Sequence, residues 1–256
     1  GKFEKKKGPV LSELEVDNFV ATSEKEFINK LNPVYKAITK TKLKLNKDKS
    51  LISFIGAPWT LIVYMLGIKE EKNILDIRKL NKKRKEIKIV INKLTEVLCA
   101  HIKNQVNAGA DTIQIFDSWA GLIPEELLNE YCYEPNKKLV IFCKNNKIPV
   151  ICFPKGLKKR YLDFVNIVKP DGINIDYELN PEWARKNLDK VCIQGGMDPK
   201  ILLQDKKIIL ETAEEYLKIF KNFPYIFNLG HGILPSTDPI KIEQLVRYVR
   251  NHEQNK

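Results

Sequence analysis

Short β-branched runs alternate along this chain with longer amphipathic segments. The runs lie at 51–55, 112–116, 150–153, 172–175, 191–194 and 225–229 and read as strands. Between them lie helical patterns at 88–108, 125–145, 157–168, 181–188, 206–222 and 238–252. In the first of these Ile91, Leu94, Leu98, Ile102 and Val106 form one apolar stripe at helical spacing. Pro181 follows Asn180 and Pro239 follows Asp238, in each case a capping residue and then proline at the first helical position. Strand and helix in strict alternation predict an α/β fold, repeated β/α units around a parallel sheet of (β/α)8 TIM-barrel type. About six of the eight units are present, after a long irregular opening. No Pro-, Gly- or Ser-rich linker, internal repeat or low-complexity tail divides the chain, so 1–256 is expected to be a single barrel domain lacking its N-terminal strands. The lysine-rich stretch 69–88 reads as a lid or a solvated helix.

Composition narrows the function. A hydrophobic content of 43% over 256 residues is ample for a core. The longest apolar stretch, 61–67, is far short of the roughly 20 residues of a membrane span. The first residues, GKFEKKKGPV, start with Gly and carry no apolar signal segment, so the chain is expected to begin mid-protein. Cys99, Cys132, Cys143, Cys152 and Cys192 are odd in number and far apart, with no C-x-x-C pair; they suggest neither a disulfide scaffold nor a zinc ribbon and fit a reducing cytoplasm. The net charge of +12 comes mainly from lysines scattered through helices, without a basic stripe interleaved with aromatics, so nucleic acid is not the expected partner. An anionic small substrate accounts for a basic surface equally well.

Candidate chemistry follows from position. A barrel of this kind builds its active site from the residues just after each strand. Here these are GAPWTLIVYM, DSWAG, PKG, DYE, GGMDP and GHGILP, whose glycines and prolines allow close backbone approach and sharp exits into helices. His231 stands between two glycines at a strand end, where an imidazole can bind a carboxylate as a cation or pass a proton. His101 lies mid-helix and His252 in the terminal tail; neither is given a role. Asp117, Asp176 and Asp198 also follow strands. Trp59, Trp119 and Trp183 read as packing residues.

The fragments GAPWT at 56–60, FDSWAG at 116–121 and FNLGHGILP at 227–235 resemble the uroporphyrinogen decarboxylase family, and the likeness runs from GPVL at 8–11 to the final helix near Tyr248. The resemblance implies a cofactor-free carboxy-lyase of haem synthesis acting on uroporphyrinogen, a reduced tetrapyrrole with four acetates and four propionates. It removes carbon dioxide from each acetate to leave a methyl. The protonated pyrrole is the electron sink, so no metal, pyridoxal or thiamine is needed. Three residues match substrate-contacting positions: Tyr64 in the helix after GAPWT, Ser118 as a donor to a substrate carboxylate, or else a helix cap, and His231. Lys155 could meet a further carboxylate, whereas the strand-end aspartates would repel such a substrate unless they face pyrrole N–H groups or pair with a base. The resemblance also implies a cytoplasmic homodimer, with neither membrane nor nucleic acid as a partner.

Two family motifs do not occur in these 256 residues: an arginine motif of the RQAGRY type and the aspartate of an FSDIL-like strand, which stabilises the cationic intermediate. No catalytic residue is therefore assigned within the chain, the catalytic aspartate being expected in the family's N-terminal part, and the chain alone is expected to be inactive. Two other readings compete. A corrinoid or methionine-synthase type methyltransferase barrel would hold zinc through histidine and cysteine, and no H-x-C pair is present. A non-catalytic tetrapyrrole-binding partner would bind without turnover.

Overall fold

Each parallel strand lies within a residue or two of the hydrophobic run that encodes it, apart from the last, and the strands fall into two groups of three. The computed structural model describes residues 2–4, 8–10, 12–68, 75 and 77–254. It divides into one unit of Gly1–Leu157 with Asn166–Pro170 and a second of Lys158–Val165 with Asp171–Lys256.

The first unit opens with an antiparallel pair, β1 (Lys2–Glu4) and β2 (Gly8–Val10). Three helices follow, α1 (Glu13–Ala21), α2 (Glu24–Lys30) and α3 (Asn32–Lys44), where the hydrophobic pattern suggested an irregular opening. The overlooked signal is capping. Ser12 and Glu15 form a reciprocal capping box, and the Ser23 hydroxyl accepts from the Glu26 N–H at 3.2 Å. Then come β3 (Ile52–Gly56), α4 (Pro58–Met65), α5 (Ile77–Lys82), α6 (Arg84–Asn107), β4 (Thr112–Asp117), α7 (Glu134–Asn145) and β5 (Val150–Pro154). β3, β4 and β5 pair in parallel, with Ile52 opposite Thr112 and Ile113 opposite Val150. Of the stretch 69–88, residues 69–74 and 76 lie outside the described residues; from 77 it is α5 and the start of α6.

On α6 the stripe Ile91, Leu94, Leu98 and Ile102 is buried, together with Ile87 and Val90. Strand β3 alternates, Ser53 and Ile55 buried, Ile52 and Phe54 exposed. Ser53 hydrogen-bonds Gln105 of α6. Phe54, Phe116 and Phe153 form an edge-to-face row across the three strands, with centroids 5.7 and 6.0 Å apart.

The expected helix 125–145 is broken. A 3-10 turn at Glu125–Leu127 and a π turn at Asn129–Tyr133 precede α7. Pro135 has no N–H to give the carbonyl four residues back and would clash with it in a regular α-helix, so the chain widens there instead.

The second unit holds α8 (Tyr161–Val168), which starts in it and ends in the first, then β6 (Gly172–Ile175), α9 (Pro181–Asn187), β7 (Cys192–Gly195), α10 (Lys206–Ile219), β8 (Tyr225–Ile226) and α11 (Pro239–Gln254). β6, β7 and β8 are again parallel. Asn180 caps α9 by accepting from the Trp183 N–H at 2.8 Å, as its sequence signal predicts. β8 is shorter than the run 225–229. Gly195 and Gly196 of the neighbouring strand end have φ of +85° and +103°, which turns the chain out of the ladder; pairing resumes at Met197 and Leu229.

Candidate functional site

In the first unit the ends of β3, β4 and β5 are joined by a network centred on Asp117. This carboxylate is 1% exposed and accepts from the Thr60 hydroxyl at 2.8 Å and from Asn136 Nδ2 at 3.1 Å. Thr60 lies in the first turn of α4 and Asn136 in the first turn of α7, so a single side chain fixes two helices to the end of β4. Burial pushes the Asp117 carboxyl up to about 6, although both hydrogen bonds pull it down.

Above this network Trp59 is fully buried and stacked on Tyr131 at 5.1 Å, and its Nε1 donates to the Trp119 carbonyl at 3.1 Å. The Trp119 ring meets the edge of Tyr64 at 6.1 Å. Tyr64 and the residue following Ser118 are therefore in contact, and both candidate side chains are half-buried. Ser118 precedes Trp119, which is the N-cap of the turn Ala120–Leu122 and makes no side-chain cap bond.

The β5 loop is sewn to the same place. Lys155 N–H donates to the Asp117 carbonyl at 3.1 Å, and Gly121 N–H donates to the Lys155 carbonyl at 2.9 Å. Gly121 and Gly156 touch through their backbones, and a Cβ on Gly121 would fall 2.6 Å from the Gly156 oxygen. Two glycines are needed here because the loops meet without side chains between them.

In the second unit Gly230 N–H donates to the Met197 carbonyl at 2.7 Å, which fixes the chain just before His231. A Cβ on Gly230 would come within 2.4 Å of the Tyr177 nitrogen, so only glycine fits, whereas Gly232 borders open space. His231 is exposed, and its Nδ1 accepts from the Gly232 N–H at 2.7 Å. Asp176 accepts from the Tyr161 hydroxyl at 2.9 Å and the Glu178 N–H at 3.0 Å, and Asp198 accepts from the Lys200 N–H at 2.9 Å. All three strand-end aspartates thus have structural partners. Buried Asn174 and Gln194 pair across β6 and β7 at 2.7 Å. Tyr216 and Tyr225 hydroxyls donate to the Gly196 and Gly195 carbonyls, both at 2.8 Å.

A cavity of about 740 Å³ in the first unit runs along β3 and is lined by Phe27, Ile38, Leu94, His101 and Tyr64 among others. Its walls are mostly apolar and Ser118 is not among them. Such a surface offers little to a carboxylate. His101 hydrogen-bonds the Tyr35 hydroxyl at 2.9 Å, and burial lowers its imidazole to about 4, so it is neutral at physiological pH.

The sequence profile described as Uroporphyrinogen decarboxylase (URO-D) matches residues 2–252. A protein named uroporphyrinogen decarboxylase from Rickettsia felis is 38% identical over 98% of this chain and 74% of its own length. The chain belongs to the uroporphyrinogen decarboxylase family. The relative of that name from Rickettsia bellii is 39% identical over 98% of the chain and 75% of its own length. The one from Orientia tsutsugamushi is 40% identical over 87% of the chain and 66% of its own length. Among solved structures, a methyltransferase from Methanosarcina mazei superposes with a TM-score of 0.70 at 16% identity, covering 87% of this chain and 65% of that one. A B12-independent methionine synthase from Shewanella sp. W3-18-1 gives 0.62 at 11%, covering 87% and 68%. At such identities the likeness shows the fold alone, which is the α/β barrel type expected from the alternation of strands and helices. Among the described residues no three His, Cys, Asp or Glu side chains are grouped to hold a metal ion, and no helix is long and apolar enough to cross a membrane.

Sequence reasoning for this uroporphyrinogen decarboxylase family member placed Tyr64, Ser118 and His231 at strand-end segments, and the first two are joined through Trp119. It missed Thr60, Asn136 and Tyr131, which build the platform beneath them. Thr60 sits within the GAPWT block and was legible there; Asn136 and Tyr131 come from the broken helix and carry no signal of their own.

Proposed function

We propose that the chain is a uroporphyrinogen decarboxylase, removing carbon dioxide from the four acetates of uroporphyrinogen III to give coproporphyrinogen III. The observation that carries this reading is the family match over residues 2–252, with 38% identity to a named relative over 98% of the chain. The chemistry needs position, charge compensation and protons. A ring carbon is protonated, the acetate C–C bond breaks and its electrons enter the cationic pyrrole system, and a second proton on the methylene carbon yields the methyl. Loss of the first proton from the ring carbon restores the neutral pyrrole, so that each carbon dioxide released consumes one proton. Tyr64 on α4 and Ser118 just after β4 bind substrate, as hydroxyl donors suit carboxylates. His231, exposed after β8, binds another carboxylate or passes a proton. The family's arginine and aspartate motifs do not occur in these residues, so the chain by itself does not turn substrate over. A homodimer in the cytoplasm belongs to the same reading and rests on the family resemblance; sedimentation gives the oligomeric state.

The test is a chimera joining the chain to the quarter of the Rickettsia felis relative that it does not span. Incubated anaerobically with uroporphyrinogen III and a chelator, without added cofactor, it forms four-carboxylate product by chromatography. Activity that requires zinc or a corrinoid favours the methyltransferase reading, and tight binding without product favours a tetrapyrrole-binding partner.

A further inference from the structure

We infer that Lys155 and Ser118 together form a cradle for one substrate carboxylate, the lysine supplying the charge and the serine the hydroxyl donor. The inference rests on the decarboxylase reading, which supplies an anionic tetrapyrrole. Its structural basis is the tether of the β5 loop to the DSWAG loop. Lys155 donates to the Asp117 carbonyl on one side of Ser118 and accepts from Gly121 on the other, at 3.1 and 2.9 Å. Ser118 thus lies in a three-residue span whose two ends are both held by Lys155. The contact of Gly121 with Gly156 removes side chains that would part the two loops.

Charge points the same way. Lys155 is half-buried, and none of the ion pairs formed among the described residues uses its ammonium. Asp117, whose backbone carbonyl the Lys155 N–H meets, has its carboxylate occupied by Thr60 and Asn136. A half-buried cation without a protein counter-ion is stabilised by an anion from outside, and the Ser118 hydroxyl, on the loop tethered to the Lys155 backbone, gives that anion a second hydrogen bond. The neighbouring Lys159 is exposed, so it does not need such a partner.

The experiment is calorimetric titration of the chain with uroporphyrin, the oxidised octa-carboxylate tetrapyrrole, for wild type, Lys155→Gln, Lys155→Arg and Lys159→Gln, with thermal melts confirming that each variant folds. Lys155→Gln binds about tenfold more weakly, the scale of one charge-assisted hydrogen bond. Lys155→Arg recovers most of the affinity, Lys159→Gln leaves it unchanged, and the added loss from Ser118→Ala in the Lys155→Gln background is smaller than in wild type. Equal affinities for Lys155→Gln and Lys159→Gln in a chain that binds uroporphyrin overturn the cradle alone. Failure of the wild-type chain to bind uroporphyrin more tightly than mellitate, a small polycarboxylate, overturns the decarboxylase reading and the cradle with it.

Discussion

The Thr60 hydroxyl donates to the Asp117 carboxylate across 2.8 Å, within a site from which solvent is excluded. This bond links the first turn of α4, the helix whose last turn carries Tyr64, to the end of β4, which Ser118 follows. Because burial holds the Asp117 carboxyl near 6, above its ordinary 3.8, the folded chain binds that proton more tightly than the unfolded chain. The associated stability is fully present below pH 3.8 and is lost as pH rises through 6, amounting to about 3 kcal/mol. Asp117→Asn keeps the shape, accepts from Asn136 and donates to Thr60, and removes this pH dependence. Urea unfolding at pH 4, 5, 6 and 7 checks it: the gap between wild type and variant changes steadily in favour of the variant as pH rises.

His101 has the opposite sign. Its imidazole is lowered to about 4 from 6.5, so stability is present above 6.5 and is lost as pH falls through 4. The proton NMR signal of this ring titrates near 4, and His101→Gln flattens the acid side of the unfolding curve. A midpoint near 6.5 contradicts the buried Tyr35–His101 pair.

Trp59 is both a core residue and a strut for the DSWAG loop, through its stack on Tyr131 and its bond to the Trp119 carbonyl. Trp59→Phe is expected to cost about 1–2 kcal/mol in unfolding free energy, one hydrogen bond plus lost packing. Its larger effect is on uroporphyrin affinity, since Trp119 no longer holds Tyr64 in place.

Gly121→Ala places a methyl against the Gly156 backbone, where the nearest atom lies at 2.6 Å and no flexible side chain can yield. It is expected to destabilise by about 1–3 kcal/mol, the range for overpacking. Gly232→Ala, facing open space, leaves stability nearly unchanged, and thermal melts of the two variants side by side make the comparison.

The strands were legible because each is a short apolar run closed by glycine, proline or aspartate, and the stripe of α6 because its period matches a helix. α1 and α2 were hidden from a hydrophobic reading, since their ends are set by Ser12, Glu15, Ser23 and Glu26. The broken helix before α7 escaped because Pro135 was overridden by the surrounding apolar pattern. Tyr64, Ser118 and His231 stood out through the motifs around them. Asp117 was visible as a strand-end residue, yet its role depends on Asn136, 19 positions away, and spacing along a chain does not encode such a meeting.

The most direct measurement of the central claim is carbon dioxide released per uroporphyrinogen III, under anaerobic conditions, by the chain alone and by the chimera carrying the relative's additional quarter. The chain alone is expected to release none and the chimera four, falling sharply with Tyr64→Phe, Ser118→Ala or His231→Asn. A chimera that folds, binds the tetrapyrrole and releases no carbon dioxide contradicts that claim.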